Sequence, residues 1–373
     1  MTARGRIRDY DWVLIALVFS ICAIGVLEIW SATHNAGRAL ATLSTKQLEW
    51  IALGVAVMLV LSLIDYHVIM DQAPILYLLA IVALLAVLAF GHSRFGAKRW
   101  LPIPGLSSDN ASEGGLFQVS ELAKLIIIVV LARFFSEVRT DRLTLTDLAK
   151  VGVLTGIPLA LILKQPDLGT ALVLVPVAIV GAYLTGIRWQ HAAAALIIAA
   201  MLLPVGWHFM KPYQKERVTT FLHPEEDPKK SGYQILQSQI AVGSGGFWGK
   251  GLGHGSQNQG GFLPVKYSDF ILAALAEELG FKGVFLTLLL YMALLLRLVH
   301  NAQRAKDRAG MYLAMGVTAV LAFHVFVNVA MVIGYMPVTG IPLPLMSYGG
   351  SATLFVFMAL GLVMNVRIRR FVN

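Results

Sequence analysis

The sequence predicts an all-α integral membrane protein with about ten transmembrane helices and both termini in the cytoplasm. Of its 373 residues, 57% are hydrophobic and 14% are charged, whereas about 25% of residues are charged in an average soluble domain. Ten apolar runs approach or exceed the roughly 20 residues that a transmembrane helix needs. We therefore expect a single polytopic membrane domain over residues 1–373.

Polar or glycine-rich segments separate the ten apolar runs. The runs cover residues 12–32, 47–64, 75–91, 117–135, 148–163, 169–185, 190–209, 270–296, 310–336 and 346–366. The first run follows three arginines but extends past Trp30 without a small-residue cleavage pattern, which favours a retained span over a signal peptide. The single cysteine, Cys22, lies inside that span and excludes a disulfide within the chain.

The basic residues predict the orientation of the chain. If the N-terminus is cytoplasmic, more Lys and Arg residues fall in the inner segments than in the short outer ones, as the positive-inside rule requires. The formal charge of +9 could indicate nucleic-acid binding. Because the basic residues are scattered at helix ends rather than gathered on one face, we predict no nucleic-acid partner.

The longest connection, residues 210–269, joins the seventh and eighth spans. We predict that it is a large extracytoplasmic loop that carries part of the active site, because unstructured loops of this length are uncommon unless functional. Tyr233, Leu236 and Ile240 recur at helical intervals within it. This spacing favours a short helix that lies in the membrane interface.

A glycine-rich segment, residues 243–255, follows this predicted helix. Its glycines would let backbone N–H groups approach a phosphate. It is not a P-loop, because Lys250 is followed by Gly251 instead of Ser or Thr. A flexible surface loop is the alternative interpretation, and the nearby basic residues Lys250 and Arg217 argue against it.

The depth of two acidic residues can be predicted by counting along the eighth span. Twenty residues back from Arg297, at about 1.5 Å each in an unbroken helix, place Glu277 near the outer edge of the hydrocarbon. Asp269 would then lie farther out, on about the same helix face as Glu277. That level is where the phosphate of a lipid would be.

Asp167 and Asp269 each stand at a predicted helix start and could simply be N-caps. For Asp167 we expect this capping role. For Asp269 we expect more than capping, because Lys266, Lys250 and Arg217 would surround it with more positive charge than a cap requires.

Glu121 and Lys124 lie one and two turns inside the outer end of the fourth span. They are three residues apart, so they can pair across one helix face. A charge at a helix centre costs about 2.5 to 3.5 kcal/mol on the insertion scale, which makes this pair a functional candidate. A salt bridge that only locks two helices together is the structural alternative.

Three further outward features complete the candidate site. Lys46 opens the second span, and Arg99 precedes the fourth beside an interfacial Trp100. The last outer loop, residues 337–351, has three prolines and three glycines and includes Ser347. Such nonhelical backbone is tolerated at membrane depth only where protein or a water-filled cavity covers it, so we expect it to line a groove. The scattered histidines predict no metal site.

Short motifs occur in a fixed order along the chain, at residues 118–124, 165–170, 243–251, 262–264, 269–271, 276–280 and 342–351. As a set they resemble the signature segments of the SEDS family (shape, elongation, division and sporulation), and its elongation branch most of all. The resemblance runs from about residue 46 to residue 366.

This resemblance implies a peptidoglycan glycosyltransferase that polymerises lipid II at the outer face of the bacterial cytoplasmic membrane during cell elongation. The implied partners are lipid II, the growing glycan strand and a class B penicillin-binding protein in the membrane. It also implies that Asp269 is essential and that Glu121 and Lys124 are important for activity. No cofactor is required by the sequence, and the need for a divalent cation stays open.

From these features we predict a catalytic group and a substrate-binding group. Asp269 would act as general base on the acceptor hydroxyl, or by positioning charge if nearby cations weaken it as a base, with Glu121 and Lys124 orienting the site. Cations would stabilise the leaving pyrophosphate. The predicted substrate-binding residues are Lys46, Arg99, Arg217, Lys250, Lys266, Asp167 and Ser347.

Three other functions compete with this prediction. A transporter that flips lipid II would need polar groups at both mouths or at the midplane, and the inward loops offer little beyond orienting arginines. A scaffold that only recruits the penicillin-binding protein would leave Glu121 and Lys124 unexplained. The division branch of the family shares the chemistry and is separated imperfectly by sequence.

Overall fold

A computed structural model describes residues 9–34, 38–94, 97–102, 116–138, 142–224 and 231–370, and these residues are mostly helical. The helices are, in chain order, α1 (Trp12–Thr33), α2 (Arg38–Ala41), α3 (Leu43–Leu63), α4 (Tyr66–Asp71), α5 (Ala73–Phe90), α6 (Val119–Glu137), α7 (Leu145–Lys164), α8 (Leu168–Thr185), α9 (Trp189–Phe209), α10 (Pro212–Leu222), α11 (Ser231–Gly245), α12 (Ser256–Gln259), α13 (Ile271–Gln303), α14 (Arg308–Val332) and α15 (Gly350–Arg369).

Eight of these helices are long and apolar enough to cross a membrane, namely α1, α3, α5, α7, α8, α13, α14 and α15. The ten predicted runs coincide with these eight helices and with α6 and α9. Helix α6 carries four charged residues, and the apolar stretch in α9, Trp189–Ile198, is shorter than a span. The chain is a multi-pass helical membrane protein with eight candidate spans among its described residues.

A small sheet departs from the all-α prediction. Strands β1 (His92–Arg94), β2 (Ala97–Pro102) and β3 (Leu116–Gln118) pair antiparallel in that order, with Trp100 opposite Gln118. The sheet immediately precedes α6 and fixes where that helix begins. The strands are too short for the sequence pattern to have indicated them.

Helix α14 lies at the centre of the bundle, where it packs against α6, α8, α13 and α15. Helices α3 and α15 also pack closely, because a side chain at Gly54 would reach within 2.5 Å of the Phe357 ring. Small residues allow helix backbones to approach closely in a membrane. Because α6 packs against α14, polar residues of these two helices face one another inside the protein.

Helix α13 is broken at Gly280, where φ is 67° and ψ is −167°. The glycine-rich segment fills the break: the N–H groups of residues 250 and 251 donate to the carbonyls of Glu277 and Glu278. In return, the N–H groups of residues 281 and 282 donate to the carbonyls of residues 246 and 247. Freed backbone groups at membrane depth need such partners.

Because of this break, the assumption behind the predicted depth of Glu277 and Asp269 is wrong. The count from Arg297 assumed one unbroken helix, and it cannot be carried past Gly280. Asp269 also lies before α13 begins at Ile271, so it does not share a helix face with Glu277. The N–H groups of Lys250 and Gly251 belong to the glycine-rich segment that the sequence offered to a phosphate, and they bind the broken helix instead.

The predicted 210–269 loop contains the three helices α10, α11 and α12, while residues 225–230 lie outside the described ranges. Helix α11 occurs where a short helix was predicted, but its buried face differs. Ile235, Ser238 and Ala241 are buried, and Ser238 Oγ donates to the carbonyl of Val332 at 2.8 Å. Helix α11 therefore packs against α13 and α14 and is not only an interface helix.

Candidate active site

Residues 337–349, called here the Pro-rich loop, connect α14 to α15 and contact the residue that the sequence places at the centre of the chemistry. Gly340 has a φ of 71°, and a Cβ atom there would lie 3.6 Å from Asp269 Oδ2. The guanidinium of Arg217 donates to the carbonyl of Val338 at 2.9 Å. The loop therefore runs between Arg217 and Asp269, as a groove-lining segment would.

Asp269 is half-buried just before α13. Ser268 Oγ donates to its Oδ1 at 2.8 Å, and Asn328 Nδ2 donates to its main-chain carbonyl at 2.9 Å. The N-cap of α13 is Phe270. The N-cap position that the sequence offered to Asp269 is therefore occupied by Phe270.

Glu121 and Lys124 form the ion pair that their spacing predicted, at 2.9 Å and with both side chains buried. The Lys124 ammonium also lies 3.3 Å from His324 Nε2 and 4.3 Å from the centre of the Phe355 ring, a cation–π contact. Glu121 Oε2 has no hydrogen-bond partner among the described residues. The ion pair therefore has one buried acceptor oxygen without a donor among the described residues.

Helix α14 links this ion pair to Asp269 through two polar residues one turn apart. His324 contacts Lys124 and, through Nδ1, the carbonyl of Pro342 at 3.3 Å. Asn328 donates both to Asp269 and to the carbonyl of Ile341, each at 2.9 Å. The helix and the Pro-rich loop thus join Lys124 and Asp269 in one network.

The sequence interpretation gave this linking role to neither residue. It treated His324 as a local hydrogen-bonding group and passed over Asn328. The available signal was a polar side chain in an apolar run, which is costly in a membrane and therefore functional by default.

Asp167 is the N-cap of α8, as predicted, with Oδ1 accepting from the Thr170 N–H. Its Oδ2 accepts from Gln118 Nε2 at 2.9 Å. Because Gln118 ends the sheet and precedes α6, the buried Asp167 carboxylate ties the start of α8 to the start of α6. These contacts are structural, and they join Asp167 to Gln118, which precedes Glu121 by three residues.

Lys250 and Lys266 were predicted beside Asp269, but the structure pairs them elsewhere. The Lys250 ammonium lies 2.7 Å from Glu277 Oε1, and the Lys266 ammonium donates to the carbonyl of Asn258. Burial lowers the pKa of Lys266, while the carboxylates of Glu278 and Glu277 act in the opposite direction. Both lysines hold the glycine-rich segment and its surroundings in place.

The remaining predicted residues lie around the Pro-rich loop. Ser347 Oγ donates to the carbonyl of Ser268 at 2.7 Å, which fixes the loop beside Asp269. Gln47 Nε2 donates to the carbonyl of Ser347 at 3.4 Å, so Lys46 on α3 is one residue from this contact. Arg99 lies on β2, and its side chain is outside the described part of the structure.

Within the described ranges, no group of three or more His, Cys, Asp and Glu side chains could hold a metal ion. The polar atoms of the site are instead arranged as hydrogen bonds and ion pairs around Asp269 and Lys124. Such an arrangement can orient a hydroxyl, accept its proton and stabilise a developing negative charge.

The cell cycle protein family of FtsW, RodA and SpoVE matches residues 11–371. The peptidoglycan glycosyltransferase MrdB of Escherichia coli strain K12 is 39% identical over 362 residues, which cover 96% of this chain and 94% of that protein.

Two solved structures are similar along the whole chain. A structure of a peptidoglycan synthase complex that coordinates polymerization and crosslinking has a TM-score of 0.81 at 33% identity and covers 98% of this chain and 99% of that one. The rod shape determining protein RodA of Thermus thermophilus has a TM-score of 0.71 at 29% identity and covers 98% of both chains. The chain therefore belongs to the FtsW, RodA and SpoVE family, the SEDS family that its motifs resemble, as a peptidoglycan glycosyltransferase of the RodA type.

Proposed function

We propose that this protein polymerises lipid II into glycan strands during cell elongation, at the outer face of the bacterial cytoplasmic membrane. The observation that carries the proposal is the network in which Asn328 and the Pro-rich loop connect Asp269 to the buried Lys124. A protein that served only as a scaffold would leave the buried Glu121–Lys124 ion pair and its unpartnered oxygen unexplained.

The proposed orientation has ten spans, with α6 and α9 completing the eight, and both termini in the cytoplasm. Its support is the distribution of charge between the two ends of the bundle. Arg297 and Arg367 gather beside Asp11 at the end opposite Asp269, and the positive-inside rule assigns the Arg-rich end to the cytoplasm. Asp269 then lies at the outer end, level with lipid headgroups.

The reaction joins two sugars. A hydroxyl of the acceptor sugar attacks the anomeric carbon of the donor, a new glycosidic C–O bond forms, and the C–O bond to the lipid pyrophosphate breaks. Asp269 takes the proton of the attacking hydroxyl as general base. The pyrophosphate leaves with the electron pair and the added negative charge, which nearby cations stabilise.

The contacts of Asp269 prepare it for this step. Ser268 holds Oδ1 and Asn328 holds the main chain, so the carboxylate is aimed before substrate arrives, and preorganisation of this kind is what makes a catalytic group effective. Lys124, buried beneath the same loop, supplies a fixed positive charge, and Glu121 keeps that ammonium in place.

The predicted substrate-binding residues divide into two roles. Arg217, Lys46 and Arg99 are proposed to contact the pyrophosphates of the lipid-linked sugars. The other four shape the site: Lys250 and Lys266 hold the glycine-rich segment, Asp167 ties α8 to α6, and Ser347 fixes the Pro-rich loop.

The proposed partner is a class B penicillin-binding protein in the same membrane, which would crosslink the strands. Its support is the likeness to a solved structure of a peptidoglycan synthase complex that coordinates polymerization and crosslinking.

The test is polymerisation of purified lipid II by the purified protein, with and without a class B partner, scored as glycan strands on a gel. Strands are expected from the native chain and none from Asp269→Ala. Asp71→Asn, an exposed carboxylate at the opposite end of the bundle, is the control and should keep full activity. Transfer of labelled lipid II across vesicles without any polymer would contradict the proposal and support a flippase.

A further inference from the structure

Glu28 is a buried acid that neither the fold nor the proposed reaction uses. It lies in α1 with no exposed surface. Neither of its carboxylate oxygens has a hydrogen-bond partner among the residues that the structure describes. Burying an ionised carboxylate without a partner is costly, so these two oxygens call for a proton or for a bound cation.

Glu278, at the break in α13, is the charged neighbour of Glu28. Ser31 lies one turn after Glu28 on the same face of α1, and Ser31 Oγ donates to Glu278 Oε2 at 2.5 Å. The N–H of Gly253 also donates to that oxygen, at 3.0 Å. Glu28 therefore faces Glu278 across the contact between α1 and α13.

Asn258 adds a neutral oxygen to the same place. Its Nδ2 donates to Glu278 Oε1 at 2.6 Å, which fixes the orientation of the amide. Its Oδ1 is fully buried and, like the Glu28 oxygens, has no hydrogen-bond partner in the described ranges. Three acceptor oxygens without donors thus adjoin the Glu278 carboxylate.

The charges around these oxygens do not balance. The cluster holds the carboxylates of Glu28, Glu277 and Glu278 and the ammonium groups of Lys250 and Lys266, which leaves one negative charge. Lys250 is paired with Glu277, and Lys266 acts on Glu277 and Glu278. A proton on Glu28 would balance the charge but would give one donor to three acceptors.

We propose that Glu28, Glu278 and Asn258 bind a hard divalent cation of the Ca²⁺ or Mg²⁺ class. These ions take carboxylate and amide oxygens as ligands and complete their shells with water. A cation bound here would provide a partner for these unpartnered oxygens and would remove the excess negative charge. Histidine and cysteine, the ligands that softer metals favour, take no part in the cluster.

A cavity is lined by residues next to this cluster in the sequence. The cavity has a volume of about 330 Å³, and its lining includes Ala32, Gln259 and Lys266. Ala32 follows Ser31, Gln259 follows Asn258, and the charge of Lys266 acts on Glu278. Its lining also includes Tyr267, two residues before Asp269.

The cation would act as a clamp between α1, the break in α13 and the segment that leads to Asp269. Gln259 Nε2 already donates to the carbonyl of Ser31 at 2.9 Å, so α12 and α1 are in contact without the ion. Binding of the ion would hold this contact closed. The inference concerns binding and stability and does not depend on the reaction proposed above.

The experiment is a titration of the purified full-length protein, stripped with a chelator, with CaCl₂ and separately with MgCl₂ at constant ionic strength. Isothermal calorimetry and thermal unfolding are recorded together. The native chain should bind one ion and show a saturable rise in Tm, as any ligand of the native state produces. An unchanged Tm and no binding heat up to millimolar concentrations of both ions would overturn the proposal.

Glu28→Gln should differ from the native chain both in chelator and in the presence of ion. In chelator its Tm should be higher than that of the native chain, because a buried unpaired charge is gone. On addition of either ion its Tm should not move. Glu49→Gln, an exposed glutamate on α3, is the matched control and should respond like the native chain.

A second variant keeps the proposal testable if Glu28→Gln does not fold. Asn258→Asp places a fourth carboxylate beside the ion, so it should lower the Tm in chelator and enlarge the rise with Ca²⁺. Native-like cation binding by Glu28→Gln, or loss of any Ca²⁺ response in a folded Asn258→Asp, would overturn the site.

Discussion

The two ends of the helical bundle differ in how their carboxylates are paired. At the end that holds Asp11, each oxygen of Asp11, Asp65 and Asp307 accepts a hydrogen bond or pairs with a cation. At the end that holds Asp269, both oxygens of Glu28 and one of Glu121 have no such partner among the described residues. The protein alone satisfies these three carboxylates at the Asp11 end, but its described residues leave carboxylate oxygens without partners at the Asp269 end.

At the Asp11 end, a network of ion pairs and hydrogen bonds holds helices together. Asp11 is fully buried and accepts from Arg297 at 2.8 Å, from Asn301 at 2.8 Å and from Arg367 at 3.1 Å. These partners come from the ends of α13 and α15, so one carboxylate joins three helices. Breaking such a buried pair costs about 3 to 5 kcal/mol because it leaves a charge without compensation.

The Asp269 end keeps polar groups that cost stability. Nearly all buried polar groups in native proteins are hydrogen-bonded, and exceptions mark functional sites or missing ligands. Glu121 and Asn328 each keep one unpartnered acceptor close to the Pro-rich loop. These unpartnered acceptors support the proposals made above for the Asp269 end.

Variants of the Glu121–Lys124 pair should give the largest effects. They distinguish what the pair contributes to stability from what it contributes to activity. Lys124→Met should destabilise the protein by about 3 to 5 kcal/mol, since it strands a buried carboxylate. The double variant Glu121→Gln/Lys124→Met removes both charges and should recover most of that stability. It should still lose polymerisation by about 10² to 10³-fold, because the fixed charge is gone.

Unfolding midpoints and lipid II polymerisation rates check both variants. Glu137→Gln, which breaks the exposed pair with Arg133 on the same helix, is the control and should change stability by less than about 1 kcal/mol. Recovery of native activity in the double variant would reduce the pair to a helix lock.

Much of the fold followed from the sequence because bilayer thickness sets helix length. The ten apolar runs coincide with helices, and local spacing alone predicted the Glu121–Lys124 pair and the Asp167 cap. Both contacts join residues at most four apart, where helix geometry decides which side chains meet.

Contacts distant in sequence could not be predicted in the same way. The sequence placed Lys250 and Lys266 near Asp269, but their actual partners, Glu277 and the Asn258 carbonyl, depend on how the glycine-rich segment folds onto the break at Gly280. Glycine inside an apolar run was the signal for that break. Glu28, an acid within the first span, was a similar signal that went unused.

Two buried asparagines, Asn328 and Asn301, lie at opposite ends of the bundle. Their variants should give smaller effects that also distinguish the two ends. Asn328→Ala removes the bonds to Asp269 and Ile341, so kcat should fall about tenfold, which corresponds to about 1.4 kcal/mol, with KM little changed. In Asn328→Asp the new side chain has the same size, but its ionised carboxylate donates no hydrogen bond. The kcat of this variant should therefore fall by the same factor. Steady-state kinetics on lipid II measure both.

Asn301 is the matched residue at the other end, where it donates to Asp11 and accepts from Arg367. Asn301→Ala should lower the Tm and leave the rate per folded molecule unchanged. A loss of kcat in Asn301→Ala equal to that in Asn328→Ala would erase the distinction between the two ends.

The smallest expected effect is a pH dependence at the Asp11 end. His67 lies 2.9 Å from Asp65 and 2.6 Å from Asp307, with Tyr66 and Arg369 on the same carboxylates. Partial burial lowers the pKa of His67, but the two aspartates outweigh it and raise the pKa above the ordinary value of 6.5. The charged imidazole therefore stabilises the native state.

The sign of the effect follows from this raised pKa. The stabilisation is complete below about pH 6.5 and is lost as the pH rises through the higher pKa of the folded state. It should be no more than about 1 kcal/mol, because the side chain is half exposed and screened. The Tm of the native chain should thus fall relative to His67→Gln between about pH 6 and pH 9. His254→Gln is the control, and an identical profile for His67→Gln and the native chain would show that the charge of His67 does not stabilise the native state.

The most direct measurement of the contrast between the ends compares Asp269→Asn with Asp11→Asn in one experiment that records both the lipid II polymerisation rate and the Tm. We expect Asp269→Asn to lose about 10² to 10⁴-fold in rate at a native Tm, and Asp11→Asn to lose Tm while each folded molecule polymerises at the native rate. Near-native polymerisation by Asp269→Asn would contradict the account.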